Sequence, residues 1–533
     1  MIFDGAHDSR TKRFAAGVVA SFQLLALGCI ASGDWPVSGF PLDDAWIHAL
    51  VARTFVEQGT LGIAPGLHGS GATSTLWALI LALGHALHVG APAFALLINA
   101  FLLLAAGQVA LRMLLADGMV AGSATAAAVA FAIAPNFVWF AASGMEATLF
   151  SFLSLWAIQA WNSDRARGKY AAGVALALLS LTRPEGILLL PLLALCRRPR
   201  TLGEWSSLTL APVVVSACHA IFNFARTGHF LPATLGGRRW MWLSPLGGLN
   251  ALERAAVLVV DWINRLAEFS LGSLDHWWFW LALALAIWGA ASALKAPRQR
   301  ALIAWTLLHV GIYALALPTL GHGGRYQPLL PALFLMLTAL GALRLGRSVL
   351  GLASARLRSA VFALLALAAL ALALAGPGTS LLAWRRAQHD AVEHINTTEI
   401  GMGRLIARLP PSAVIASFDI GGIGYFSGRP IVELGGLSSD EIVPLLWQGR
   451  VSRYLRERRV DYVVLPLGLG GLRAQEPWNF GYRLGLVQSP ELELEPVSSL
   501  ESPLMVWRRG VRATMHCAPR QALYRVHFRG GLR

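Results

Sequence analysis

The sequence predicts a polytopic α-helical membrane protein of about eleven transmembrane helices, followed by a C-terminal extracytoplasmic α/β domain. Three observations carry that prediction. Of 533 residues, 56% are hydrophobic and only 14% charged, where a soluble domain carries about 25%. The apolar residues fall in long runs, and the mean hydropathy is +0.56. The 44 Lys+Arg against 29 Asp+Glu, net +15, sit in short clusters between those runs, the pattern of membrane chains that keep positive loops inside. A nucleic-acid domain would gather its basic residues on one stripe, so no nucleic-acid partner is expected. Cys29, Cys196, Cys218 and Cys517 show neither zinc nor disulfide spacing.

Arg10, Lys12 and Arg13 precede the first run, Phe14 to about Ser32. A cleaved signal peptide competes with a spanning helix here, but the run is long and no clean A-x-A site follows. Read as a span, it places the N-terminus in the cytoplasm. Further runs fall at about 92–115, 119–140, 145–162, 170–183, 185–196, 206–225, 277–294, 301–319, 327–346 and 359–376. The shorter stretch Thr73–His88 is read as interfacial, because the basic loops then alternate cleanly. Arg165–Lys169, Arg197–Arg200, Lys295–Arg300 and Arg344–Arg358 all fall inside. Runs 170–183 and 185–196 are short for a bilayer and flank Arg183-Pro184-Glu185-Gly186, a broken-helix arrangement tolerated where it lines a protein cavity.

By this parity the outward segments are the first exterior loop 33–91, the turn Ser143–Glu146, the Arg183–Gly186 turn, the loop 226–276 and His322–Tyr326. The membrane domain is taken as 1–377 and the outer domain as 378–533. In the outer domain, strands are expected at Ala413–Phe418, Pro430–Leu434, Tyr462–Pro466, Glu491–Val497 and Leu504–Arg508. Helices are expected near 388–408 and 438–458.

Chemistry-bearing residues collect on the outer side. Asp43 to Gln58 has the pattern of an amphipathic helix lying along the membrane surface, with Trp46, Leu50 and Phe55 on its apolar side. Capping that helix accounts for one of the adjacent carboxylates Asp43 and Asp44, and leaves the other unexplained. A Gly- and hydroxyl-rich loop, Ile63 to Trp77, leads into an apolar helix, and its Thr73 and Ser74 sit where backbone N–H groups can hold an anion. A plain surface turn is the competing account.

This series resembles the GT-C superfamily of membrane glycosyltransferases, and within it arabinofuranosyltransferase-like enzymes of bacterial envelopes. The likeness rests on Asp43-Asp44-Ala45-Trp46, Pro65-Gly66 and Gly71-Ala72-Thr73-Ser74-Thr75-Leu76-Trp77. Ser143-Gly144-Met145-Glu146-Ala147, Leu181-Thr182-Arg183-Pro184-Glu185-Gly186 and Phe230-Leu231-Pro232-Ala233-Thr234 follow in order. Gly324-Arg325-Tyr326 and Asp419-Ile420-Gly421-Gly422-Ile423-Gly424-Tyr425 complete it. The resemblance implies a multi-pass enzyme of the bacterial inner membrane. Its donor partner would be a polyprenyl-phosphate sugar, its acceptor a hydroxyl of an envelope glycan, lipid or protein on the outer face, and its reaction inverting. It places the base on the acidic pair, with Asp43 favoured and Asp44 as orienting or acceptor-binding partner. A second exterior-loop acid matches Glu146.

The chemistry is consistent with those roles. An acceptor hydroxyl is a poor nucleophile, and a positioned carboxylate contributes about 10²–10⁴-fold. A leaving phosphate wants cations, and the Arg fork engages phosphate oxygens two at a time. Arg226, Arg238 and Arg239 lie in an outward segment without acids, and Arg325 ends a span. Headgroup contact or helix capping competes for each. His322 and Tyr326 flank Arg325 and complete the expected substrate-binding set. Glu185 is expected to pair with Arg183 across the turn. His48, His68 and His322 share no metal-ligand spacing; no cofactor is assigned, and a divalent cation stays open. The run Asp419–Gly424 lacks G-x-G-x-x-G spacing and is not read as a nucleotide site. The competing function is a transporter or flippase for a lipid-linked glycan, favoured by the broken pair at 170–196 and disfavoured by the lack of an internal repeat.

Overall fold

The computed structural model describes residues 9–64, 72–230, 234–247, 249–271, 277–352, 374–476, 479–502 and 518–529. The apolar runs are helices. They are α1 (Ser9–Ala31), α4 (Ala91–Ala116), α5 (Ala121–Ala132), α6 (Pro135–Ala142), α7 (Ala147–Trp161), α8 (Ala166–Thr182), α9 (Leu189–Cys196) and α10 (Leu202–Thr227). After them come α13 (Trp277–Ala293), α14 (Pro297–Ala316) and α15 (Leu330–Leu352). Among the described residues four helices are long and apolar enough to cross a membrane, Ser9–Asp34, Ala91–Ala116, Leu202–Thr227 and Leu330–Gly351. The pair α5–α6, bent by 56°, makes a fifth if it is one span. Pro135 explains the bend, since proline cannot continue the hydrogen-bond ladder and bars its predecessor from helical geometry. Pro184 breaks the chain between α8 and α9 in the same way, through a short 3-10 turn at Pro184–Leu188. The expected span at 359–376 lies almost wholly outside the described residues, as do Pro65–Gly71 and the expected strand Leu504–Arg508.

The exterior segments are more ordered than their sequences suggest. The first holds α2 (Asp43–Gln58) and α3 (Thr75–Ala86). The outward loop 226–276 contains α11 (Thr234–Leu243) and α12 (Ala251–Ser270). A capping box starts α12: Asn250 accepts the N–H groups of Leu252 and Glu253, and the Glu253 carboxylate accepts the Asn250 N–H at 2.8 Å.

The C-terminal region carries a five-stranded sheet of β1 (Ile415–Ser417), β2 (Ile431–Glu433), β3 (Tyr462–Leu467), β4 (Leu492–Glu501) and β5 (Arg520–Phe528), in the order β2-β1-β3-β5-β4. β1 runs parallel to β2 and β3, while β5 is antiparallel to β3 and β4. Its helices include α16 (Thr379–Ile395), α17 (Gly401–Ile406) and α18 (Gly421–Ser427).

The two parts exchange elements. Trp384, Ala387 and Ile395 of α16 are buried in the membrane-helix core, and the Trp139 indole N–H donates to Gln388 at 2.9 Å. Conversely, Trp240 of α11 is buried in the core of the sheet domain. A third apolar cluster joins Ile47, Leu50 and Val51 of α2 to Ile415, Ile420, Ile423 and Leu523 of the tail. Each such side chain contributes about 1.5–3 kcal/mol on full burial. The expectation of α2 as a surface-lying helix is corrected here. Its apolar face meets protein, with Trp46 packed on Phe40, Tyr425 and Phe426, and exposure begins only at its far end, from Phe55 and Val56 on.

Candidate functional site

A cavity lies where α2, the His322–Tyr326 turn, α11 and the tail converge. Its lining includes Asp43, Asp44, Arg238, His322, Arg325, Tyr326, Glu399, Phe418, Asp419 and Phe480. The first turn of α2 supplies the acidic pair. Neither Asp caps its own helix, whose N-cap Leu42 makes no side-chain bond. The Asp43 carboxylate instead accepts the backbone N–H of Gly421 at 2.9 Å and of Gly422 at 2.7 Å, where α18 begins in the tail. Glycine is required there, because a Cβ on Gly421 would lie 2.1 Å from the Asp43 carbonyl oxygen.

Asp44 points to the opposite wall. It ion-pairs with Arg325 and lies 3.6 Å from His322 Nδ1. Arg325 is 3% exposed, and its Nε and Nη1 have no hydrogen-bond partner in the described structure. The turn that aims it uses Gly323 and Gly324 at φ +61° and +81°, and seats them against Trp139, Trp262 and Phe269, leaving no room for side chains. The guanidinium groups of Arg325 and Arg238 lie 5.3 and 5.4 Å from the Tyr326 ring centre.

The two carboxylates are electrostatically unlike. Burial raises Asp43, the Gly421 and Gly422 N–H groups pull it back, the Asp44 charge adds to the rise, and the result is about 6. Burial would raise Asp44 too, but the Arg325 guanidinium and His322 outweigh it and hold that carboxyl well below its ordinary value. Burial pushes the His322 imidazole down against the pull of Asp44.

The tail adds a second acidic group. Gln521 Nε2 donates to Asp419 at 2.6 Å and to Glu399 at 3.1 Å. Burial, together with the neighbouring carboxylates, pushes Asp419 up to about 7 and Glu399 well above its usual range. No sequence motif marks Glu399 or Gln521, and Asp419 stands out only as the first residue of the Asp419–Tyr425 landmark, without a role assigned to it. Its position directly after β1, facing the Asp43 contact, is the signal that would have found it.

Of the sequence-expected residues, the structure brings Asp43, Asp44, Arg238, His322, Arg325 and Tyr326 together. Thr73 does not line this cavity but two neighbouring clefts that share Arg238 with it. Ser74 caps α3, accepting the Trp77 N–H at 3.3 Å. Arg226 stacks on Phe222 near the end of α10, and Arg239 is exposed; neither lines the cavity. Glu146 is buried away from it and accepts Arg183 Nε at 3.0 Å and Nη2 at 2.7 Å. The expected Arg183–Glu185 pair is present, though it is not the closest contact of either residue. Arg183 binds Glu146 closely and reaches Glu185 only at 4.0 Å, while Glu185 accepts the Tyr313 hydroxyl at 2.9 Å. His68 lies outside the described residues. Among the described residues no group of three or more His, Cys, Asp or Glu side chains is placed to hold a metal ion.

The architecture defines a class: an integral membrane protein of the GT-C fold with a C-terminal α/β domain. Among solved structures that share it is the archaeal oligosaccharyltransferase AglB from Archaeoglobus fulgidus, in complex with an inhibitory peptide and a dolichol-phosphate. It matches with a TM-score of 0.55 at 13% identity, over 92% of this chain and 74% of that one. The same organism's oligosaccharyltransferase tethered to an acceptor peptide with an NVT sequon matches at 0.55 and 12%, over 91% and 73%. ArnT from Cupriavidus metallidurans in the apo state matches at 0.53 and 14%, over 96% and 98%. Residues 387–498 match a family model described as "Domain of unknown function (DUF8728)". No curated protein sequence matches the chain.

Proposed function

We propose that the chain is a membrane glycosyltransferase that moves a sugar from a polyprenyl-phosphate donor to a hydroxyl of an envelope glycan, lipid or protein on the outer face, with inversion. One observation carries this reading: a buried Arg325 with two unpartnered nitrogens faces, across one cavity, a carboxylate raised to about 6. The first is suited to the phosphate that leaves, the second to the proton of the hydroxyl that attacks. The AglB structure with its dolichol-phosphate and peptide supports a lipid-linked donor on this fold. The motif series adds an arabinofuranosyl-type sugar and a bacterial inner-membrane setting to the same proposal.

In the proposed displacement the acceptor oxygen forms a bond to the anomeric carbon as the bond to the phosphate oxygen breaks. The phosphate leaves with the electron pair, and the acceptor proton passes to Asp43. A carboxylate has about four acceptor positions, so the two N–H groups of Gly421 and Gly422 leave Asp43 room for that hydroxyl. Asp44, held ionised, keeps Arg325 and His322 oriented. Asp43→Asn should cut release of polyprenyl phosphate from the donor by at least about 10²-fold while binding of polyprenyl phosphate itself stays near wild type. If Asp43→Asn and Asp44→Asn both keep more than about a tenth of wild-type turnover, the acidic pair does not do this chemistry.

A further inference from the structure

Arg238 reaches the cavity from a helix that its own sequence does not sustain. α11 has 10 residues, below the ~12–15 at which isolated helices become even marginally stable. Gly236 and Gly237 lie within it, each less favourable than alanine by about 1 kcal/mol. What holds α11 is the tail. Trp240 is 2% exposed, with its ring 6.4 Å from those of both Phe418 and Phe480. Arg483 lies 4.8 Å over that indole and donates to the Met241 carbonyl at 2.8 Å and the Ser244 hydroxyl at 3.0 Å. The backbone of Gly237 rests on the loop after β2, so closely that a Cβ would come 2.0 Å from the Gly435 carbonyl oxygen.

That loop is folded around one carboxylate. Glu433, 2% exposed at the end of β2, accepts the N–H groups of Gly435, of Leu437 at 2.8 Å and of Ser438 at 3.1 Å, with the Ser438 hydroxyl at 3.4 Å. Three converging backbone donors fix the loop, and Leu437 within it also lines the cavity. We infer that Glu433 is a positioning residue for donor-phosphate binding: it shapes the 433–438 loop on which α11 sits, and so sets Arg238 beside Arg325. The inference rests on the phosphate role proposed for these arginines. Glu433 itself touches no ligand. Its effect reaches the phosphate through Gly237 and Arg238: both guanidinium groups approach the same Tyr326 ring, and a shift of α11 moves Arg238 without Arg325.

The test is titration of the purified full chain with polyprenyl phosphate, for wild type, Arg238→Ala, Glu433→Gln and the double variant, with Arg325→Met as control. Glu433→Gln replaces an acceptor by an NH₂ that faces backbone donors. It should weaken binding about tenfold, as Arg238→Ala does, and the double should bind no worse than Arg238→Ala alone. Turnover at saturating donor should fall no further in Glu433→Gln than in Arg238→Ala. Wild-type affinity in Glu433→Gln, or losses that multiply in the double, would overturn the inference while leaving the function intact. Wild-type affinity in both Arg238→Ala and Arg325→Met would overturn the phosphate reading and the inference with it. Should Glu433→Gln not fold, Gly237→Ala enters the same cycle, since its Cβ forces α11 off the loop and the same two outcomes decide.

Discussion

The membrane wall of the cavity and the tail wall carry charge in opposite ways. On the membrane side Asp44 is paired with Arg325 at the cavity, and Glu146 with Arg183 away from it. On the tail side Asp43, Asp419 and Glu399 face one another, and none has an ion-pair partner among the described residues; they are held by backbone N–H groups and by Gln521. Paired charges stay ionised at any working pH, while crowded buried carboxyls hold protons. One side thus carries fixed charge and the other exchangeable protons, the division that the proposed phosphate and hydroxyl roles require.

The fixed-charge side is most sharply tested at its buried pair outside the cavity, Arg183 with Glu146. Arg183→Met leaves Glu146 buried without a counterion, a change that typically costs about 3–5 kcal/mol. A large drop in thermal unfolding temperature is expected, and Arg183→Met with Glu146→Gln should recover much of it. Equal stability in the single variant would show that the membrane side tolerates unpaired charge, and the contrast between the two sides would collapse.

A smaller effect is expected at Arg325. Arg325→Lys keeps the charge and loses the planar fork; Arg325→Met loses both. Donor affinity should fall in the order wild type, Lys, Met, with each lost charged hydrogen bond contributing about 1.5–3 kcal/mol. If Lys matches wild type and Met differs only in thermal stability, Arg325 packs rather than binds, and the phosphate would lie nearer Arg238.

Much of this was legible in the chain. Apolar length and basic clusters gave the helices, and alternating patterns gave β1 to β4, because both signals are local. β5 was missed although Ala522, Tyr524, Val526 and Phe528 alternate as a strand should. Asp43, Asp44 and Arg325 stood out as polar residues beside apolar runs. What could not be read was partnership. Asp43 meets Gly421 across 378 residues of sequence and Gln521 meets Glu399 across 122, distances over which no periodicity speaks. For the same reason Arg226, Arg238 and Arg239 looked alike, and only the tail's grip on α11 separates them.

The proton-exchanging wall makes the gentlest prediction, in pH. If Asp43, near 6, is the proposed base and acts ionised, kcat/KM should rise with pH through about 6, falling by about tenfold per unit below it. Stability linked to the wall should run the other way. Asp419, raised from its ordinary value to about 7, binds its proton more tightly in the folded chain, so its contribution is full below about 4 and is lost as pH rises through 7. Raw unfolding temperatures will not show this alone, because His394, lowered by burial to about 4, gains stability over part of the same window. The difference between Asp419→Asn and wild type does isolate it. That difference should move in the variant's favour from pH 4 to 7, by at most ~1.4 kcal/mol per unit. A difference that is flat or of opposite sign would mean that the carboxyls of the tail are ionised at low pH like those of the membrane side. The two walls would then not differ in the way that assigns the proton to Asp43.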